Sequence, residues 1–170
     1  LGGRAAEDGL ELGAVAGDGV ELLDDVGADL VLGRILGAHV RQLPGGEGIR
    51  FDAMPPGTFS FRTNVPVKLE GGTHTVNVPI DAVVMPKTAK PKAFPVFFEA
   101  KSAGDFTNTN KRRKEEAVKM AQLRSTYGRK VQFNLFLCGY FDSGYLGYEA
   151  AEGIDWVWEH RIDDLGFCGI

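Results

Sequence analysis

Two cysteines, three histidines and no apolar run of membrane length are the first things to note in this 170-residue chain. Cys138 and Cys168 form no spacing motif, which excludes a disulfide framework and a cysteine-built zinc site. His39, His74 and His160 pair into neither a metal-ligand nor a catalytic-triad spacing, so all three read as structural. Apolar stretches fall well short of the roughly 18 residues that a membrane span requires, so no membrane partner is expected. Scarce cysteine suits a reducing, cytoplasmic setting. The rest is ordinary for a globular protein, with 44% hydrophobic and 25% charged residues. One domain spanning 1–170 is expected, with its core over about 20–140.

A surplus of positive charge is also missing, since the net charge is −4. The average hides an uneven distribution. Residues 86–130 hold twelve Lys or Arg against four acids, a local charge of +8, whereas residues 1–30 and 131–170 are both acidic. Such a concentration is the footprint of a phosphate-binding face. A solvated helix face is the plain alternative.

Periodicity sketches an α/β domain. Leu22, Leu23, Val26, Leu30, Ile35, Leu36 and Val40 predict an amphipathic helix over Val20–Leu43, ended by Pro44-Gly45-Gly46. Strands are expected over Thr58–Leu69 and His74–Met85, joined by a hairpin turn at Glu70-Gly71-Gly72-Thr73. The three prolines and three lysines of 86–95 read as a loop before a third strand, Val96–Lys101. A helix capped by Thr109 or Asn110 should run to Tyr127, with Val118, Ala121 and Leu123 inward and Lys111, Lys114 and Lys119 exposed. Val131, Phe133, Leu135 and Leu137 alternate in a fourth strand, Lys130–Cys138, and a short helix is expected over Tyr145–Glu152. Trp156 and Trp158 alternate in a further candidate strand, as core or interface residues.

The chemistry gathers in two of these strands. Asp81 lies near the middle of a stretch suited to burial, and so does Glu99, within Phe97-Phe98-Glu99-Ala100. A carboxylate in such a place is costly unless it is paired or metal-bound. The two-residue period of a strand sets Glu99 and Lys101 on one face. Two carboxylates on neighbouring strands can hold Mg2+, which keeps waters in its shell. A lysine beside it can orient or deprotonate a water attacking phosphorus. The alternatives are a strand-end Asp81 facing water and a buried ion pair between Glu99 and a lysine.

Pro79-Ile80-Asp81, then seventeen residues, then Glu99-Ala100-Lys101, resembles the PD-(D/E)xK nuclease superfamily. The run from Phe97-Phe98-Glu99-Ala100-Lys101 through Lys111-Arg112-Arg113-Lys114-Glu115-Glu116 is similar to type II restriction endonucleases of the XamI type. Residues 154–165, opening Ile154-Asp155-Trp156-Val157-Trp158, look like that family's C-terminal segment, and the likeness is good from about Thr58 onward.

The resemblance implies a restriction-endonuclease-like α/β core, a mixed central β-sheet flanked by helices. It implies Asp81 and Glu99 as metal ligands, the Ala100 carbonyl completing the shell, and Lys101 as the catalytic lysine. It further implies Mg2+ as cofactor and double-stranded DNA, cut at a short specific site, as substrate. A homodimer and a cognate DNA methyltransferase as genetic partner follow from the same likeness. An acid from the first helix often joins such sites; Glu21, Asp24 and Asp25 are candidates with nothing to choose among them. Asn108, Asn110, Lys111, Arg112 and Arg113 suit hydrogen bonds to phosphates or base edges, with a solvated N-cap cluster as the alternative. Gln122 is a candidate helper beside Lys101, or a surface glutamine. XamI-type enzymes are longer at the N-terminus, and the chain opens on Leu1, so a missing N-terminal portion is expected. Two other readings stay open: a repair nuclease or junction resolvase using the same three residues, and a catalytically silent nucleic-acid-binding module.

Overall fold

The computed structural model describes residues 18–43, 50, 53–69, 72–102, 109–168 and 170, with the backbone alone for 18–27, 29, 109–112 and 162. Six strands form a single sheet in sequence order: β1 (Arg41–Leu43), β2 (Thr58–Lys68), β3 (Thr75–Met85), β4 (Val96–Ser102), β5 (Gln132–Cys138) and β6 (Asp155–Trp158). Around it lie α1 (Asp18–His39), α2 (Thr109–Tyr127), α3 (Ser143–Ala151) and a closing 3-10 helix, Ile162–Cys168. Strands β2, β3 and β4 are antiparallel neighbours, whereas β1 and β2, β4 and β5, and β5 and β6 pair parallel. The sheet is therefore mixed, and α2 is the crossover between parallel β4 and β5, as parallel pairing requires. No helix among the described residues is long and apolar enough to cross a membrane.

Strands β4 and β5 are buried on both faces, as the consecutive pairs Phe97-Phe98 and Leu135-Phe136 demand. On one face Leu32, Leu36, Phe59, Val84, Phe98 and Phe136 pack together. On the other, Phe97, Phe133 and Leu135 meet Met120 and Leu123 of α2 and Tyr145 of α3.

Several boundaries differ from those expected. The first helix ends at His39, and the residues after Val40 turn into β1, where Arg41 N donates to Gly57 O at 2.8 Å. Its inward stripe is Ala28, Leu32, Ile35 and Leu36; Leu30 falls off that stripe and is 63% exposed. The side chains of Leu22, Leu23 and Val26, like Glu70 and Gly71 of the hairpin turn, lie outside the described residues. Thr109 is already helical in α2, so it is not that helix's cap. Helix α3 starts before Tyr145, because Asp142 Oδ1 accepts from Tyr145 N at 2.9 Å as an N-cap.

Helix α2 is fastened to the end of α3. The Arg124 guanidinium donates to Glu152 O at 2.8 Å and to Gly153 O at 3.3 Å. Gly153 has φ +72°, and a Cβ there would collide with that guanidinium. Gly153→Ala is expected to lower stability by about 1–3 kcal/mol, read from urea denaturation. An unchanged midpoint would mean that Arg124 swings aside freely.

Candidate active site

Two ladders fail at Asp81. In the β2–β3 register every pair from Thr58↔Met85 to Lys68↔Thr75 is made except the one between Arg62 and Asp81, and Arg62 has φ +46°. The inward parity of β3 changes at the same place. Val78 and Ile80 share a core with Val83 and Met85, a spacing that a regular strand cannot give. On the other side, the β3–β4 ladder stops at Ala82↔Phe98, one residue short of Asp81 and Glu99. Beyond that point a side chain replaces the backbone acceptor: Asp81 Oδ2 takes the Ala100 N–H at 2.8 Å. Asp81 and Glu99 thus stand on neighbouring strands, one residue past the point where the ladder ends.

Glu99 is 6% exposed. Its Oε1 accepts from Lys101 Nζ at 3.1 Å and from Lys119 Nζ at 2.6 Å. Its Oε2 is buried with no hydrogen-bond partner among the described residues. Lys101 Nζ also lies 3.1 Å from Glu116 Oε1, and Glu116 Oε2 accepts from the Tyr145 hydroxyl at 3.0 Å. Glu149, one turn beyond Tyr145 in α3, is fully buried, and neither of its oxygens has a hydrogen-bond donor among the described residues.

Burial, and then the neighbouring Glu116 carboxylate, push the Glu149 pKa up to about 8, while Lys101 and Arg113 pull the other way. Glu99 faces Lys101 and Lys119, and Glu116 faces Lys101. Burial works to lower the Lys101 pKa, but Glu99 and Glu116 outweigh it and raise the value above that of an ordinary lysine. Lys101 is thus an ammonium and a hydrogen-bond donor. Both thiols stay protonated. Burial and Glu159 push Cys138 to about 12, and burial and Asp155 push Cys168 to about 11.

The structure brings Asp81, Glu99, Ala100 and Lys101 together and adds four residues that sequence reasoning missed: Glu116, Lys119, Tyr145 and Glu149. Lys119 was expected outside, with Val118 and Ala121 inward; the reverse holds. Val118 is 54% exposed and Ala121 is exposed, because Glu116, Met120 and Leu123 define the buried face of α2 and Glu99 draws Lys119 toward the sheet. The Gln122 backbone carbonyl accepts from Ser125 and Thr126. Arg113 lies over the Tyr148 ring, 5.2 Å from its centroid. Asn108 and the side chains of Asn110, Lys111 and Arg112 lie outside the described residues, as do those of Glu21, Asp24 and Asp25. Among the described residues, no group of three or more His, Cys, Asp or Glu is set to hold a metal. A cavity of about 440 Å³ between β5, β6 and the closing 3-10 helix shares no residue with this cluster.

Residues 33–158 match the XamI restriction endonuclease family. The chain belongs to that family. The matched span contains every residue of the cluster; it begins upstream of Thr58, earlier than the likeness was expected to start, and ends at Trp158, short of Leu165. The type II restriction enzyme SalI of Streptomyces albus G is 62% identical over 118 residues, which are 69% of this chain and 36% of SalI. This XamI-family chain therefore spans about a third of the length of that curated relative. The crystal structure of protein VC1899 from Vibrio cholerae aligns over 82% of this chain and 30% of that one, at 16% identity and a TM-score of 0.42. The mixed α/β sheet agrees with the restriction-endonuclease-like core expected of a XamI-family member.

Proposed function

We propose that this chain carries the catalytic core of a type II restriction endonuclease. Its reaction is Mg2+-dependent hydrolysis of DNA phosphodiester bonds at a short specific double-stranded site. The observation that carries the reading is Glu99, whose Oε1 takes two ammoniums while its Oε2 is buried with no hydrogen-bond partner among the described residues, on the strand next to Asp81. Mg2+ asks for only one or two protein carboxylates and keeps waters as its other ligands, so this donor set fits the ion. Asp81 and Glu99 would hold it, with the Ala100 carbonyl. Once bound, the ion supplies neutralisation of the phosphate and a more acidic water.

The chain's own residues do the remaining work. Lys101, held as an ammonium by Glu99 and Glu116, orients the attacking water or a phosphate oxygen by donating a hydrogen bond, and does not take the proton. Lys119 adds a second positive charge at the same carboxylate, where a polyanion would come. The first turns of α2 carry Asn110, Lys111, Arg112 and Arg113, which with Asn108 are the proposed DNA contacts. A homodimer on a two-fold symmetric site, a methyltransferase protecting host DNA and a cytoplasmic location belong to the same reading.

The test compares substrates of different shape. Linear unmethylated duplexes should yield discrete fragments whose mapped ends share one sequence. Cutting confined to four-way junctions would replace this reading with a resolvase. Salt-sensitive binding without any cutting would replace it with a silent binding module.

A further inference from the structure

We infer that Glu116, aimed by Tyr145, is a positioning residue that fixes the Lys101 ammonium in the active site. Lys101 reaches from β4 on a flexible four-carbon stem, and only what grips its Nζ decides where the charge sits. Two carboxylates flank it at 3.1 Å each, Glu99 Oε1 through a hydrogen bond and Glu116 Oε1 as an ion pair without hydrogen-bond geometry. They are not equivalent. Glu99 already shares its Oε1 with Lys119 and is the carboxylate that a cation would claim. Glu116 is 1% exposed and has its second oxygen held by the Tyr145 hydroxyl at 3.0 Å.

Tyr145 is itself 1% exposed and sits in the first turn of α3, its N–H capped by Asp142. A continuous line of contacts thus runs from the start of α3 through Tyr145 and Glu116 to Lys101. Glu149 closes it from behind. Its carboxyl faces Glu116 in a buried place, where burial and then Glu116 push its pKa up to about 8.

The inference rests on the nuclease reading for its kinetic arm alone. In that arm, Glu116→Gln should lower kcat for duplex cleavage about ten- to hundredfold with KM within about twofold, and Glu116→Asp should recover part of the loss. In the second arm, the full chain, free of metal and DNA, is treated with an amine-acylating reagent and the lysine-bearing peptides are quantified by mass spectrometry. Lys101 should be acylated several-fold faster in Glu116→Gln than in the wild type, with exposed Lys130 as an unchanged internal reference. Equal Lys101 labelling in a variant whose melting is unchanged would overturn the inference, as would a loss confined to KM. Should Glu116→Gln fail to fold, Tyr145→Phe carries the same test, since it keeps the ring and removes only the hydroxyl that aims Glu116. A wild type that cuts no DNA would sink the nuclease reading while the labelling still decides the role of Glu116.

Discussion

A Glu99→Gln variant is expected to lose DNA cleavage by at least about a thousandfold. The substitution keeps the side chain's shape and removes its charge. Two ammoniums, Lys101 Nζ at 3.1 Å and Lys119 Nζ at 2.6 Å, then face an amide where a carboxylate was, and the unpartnered Oε2 no longer offers a cation an anionic ligand. Both effects act on the same step, so they compound. Breaking a buried ion pair also destabilises, by about 3–5 kcal/mol when one partner is left uncompensated. Here Glu116 still faces Lys101, so the loss of stability should fall below that range. Single-turnover cleavage of an end-labelled duplex in Mg2+, with a thermal melt of the same sample, separates the two. A folded variant that cuts at the wild-type rate would remove Glu99 from the reaction.

Stability should fall as pH rises through the neutral range, and Glu149→Gln should abolish most of that fall. The folded-state pKa of Glu149 is raised from its ordinary 4.5 to about 8, so the folded chain holds this proton more tightly than the unfolded chain does. The stabilisation is whole below pH 4.5, declines between 4.5 and 8, and is gone above 8. Glutamine mimics the neutral acid, including a donor toward Glu116, and cannot ionise. The variant is therefore expected to match the wild type near pH 4.5 and to exceed it by roughly 3–5 kcal/mol above pH 8. Urea midpoints across that range measure the difference. A constant offset at all pH values would show that Glu149 does not titrate between the folded and unfolded states.

The two cases illustrate what local sequence exposes and what it hides. Asp81, Glu99 and Lys101 are legible because charges inside strands rich in Val, Ile and Phe contradict the burial that the alternation demands. The strands and helix over 58–138 are legible because periodicity and Gly/Pro punctuation agree there, whereas the parallel crossover through α2 is legible only through the family resemblance. Strand β1 is not, because three residues carry no period. Nor is the phase of α2. Lys111-Arg112-Arg113-Lys114-Glu115-Glu116 reads as a solvated turn, yet its last residue is 1% exposed.

A signal for both hidden acids did exist. Glu116 precedes Met120 and Leu123 at helical spacing, and Glu149 follows buried Tyr145 by four residues, so each acid stands on an apolar stripe. The pull of Glu99 on Lys119 has no such trace. It is a contact between residues twenty apart, made only when the helix docks on the sheet.

The most direct test of catalysis by Asp81, Glu99 and Lys101 is incubation with unmethylated phage DNA, with and without Mg2+, beside a Lys101→Ala variant. Discrete fragments from the wild-type chain in Mg2+ are expected, with none when either the metal or Lys101 is missing. Intact DNA in every lane, or equal cutting by Lys101→Ala, would contradict the assignment.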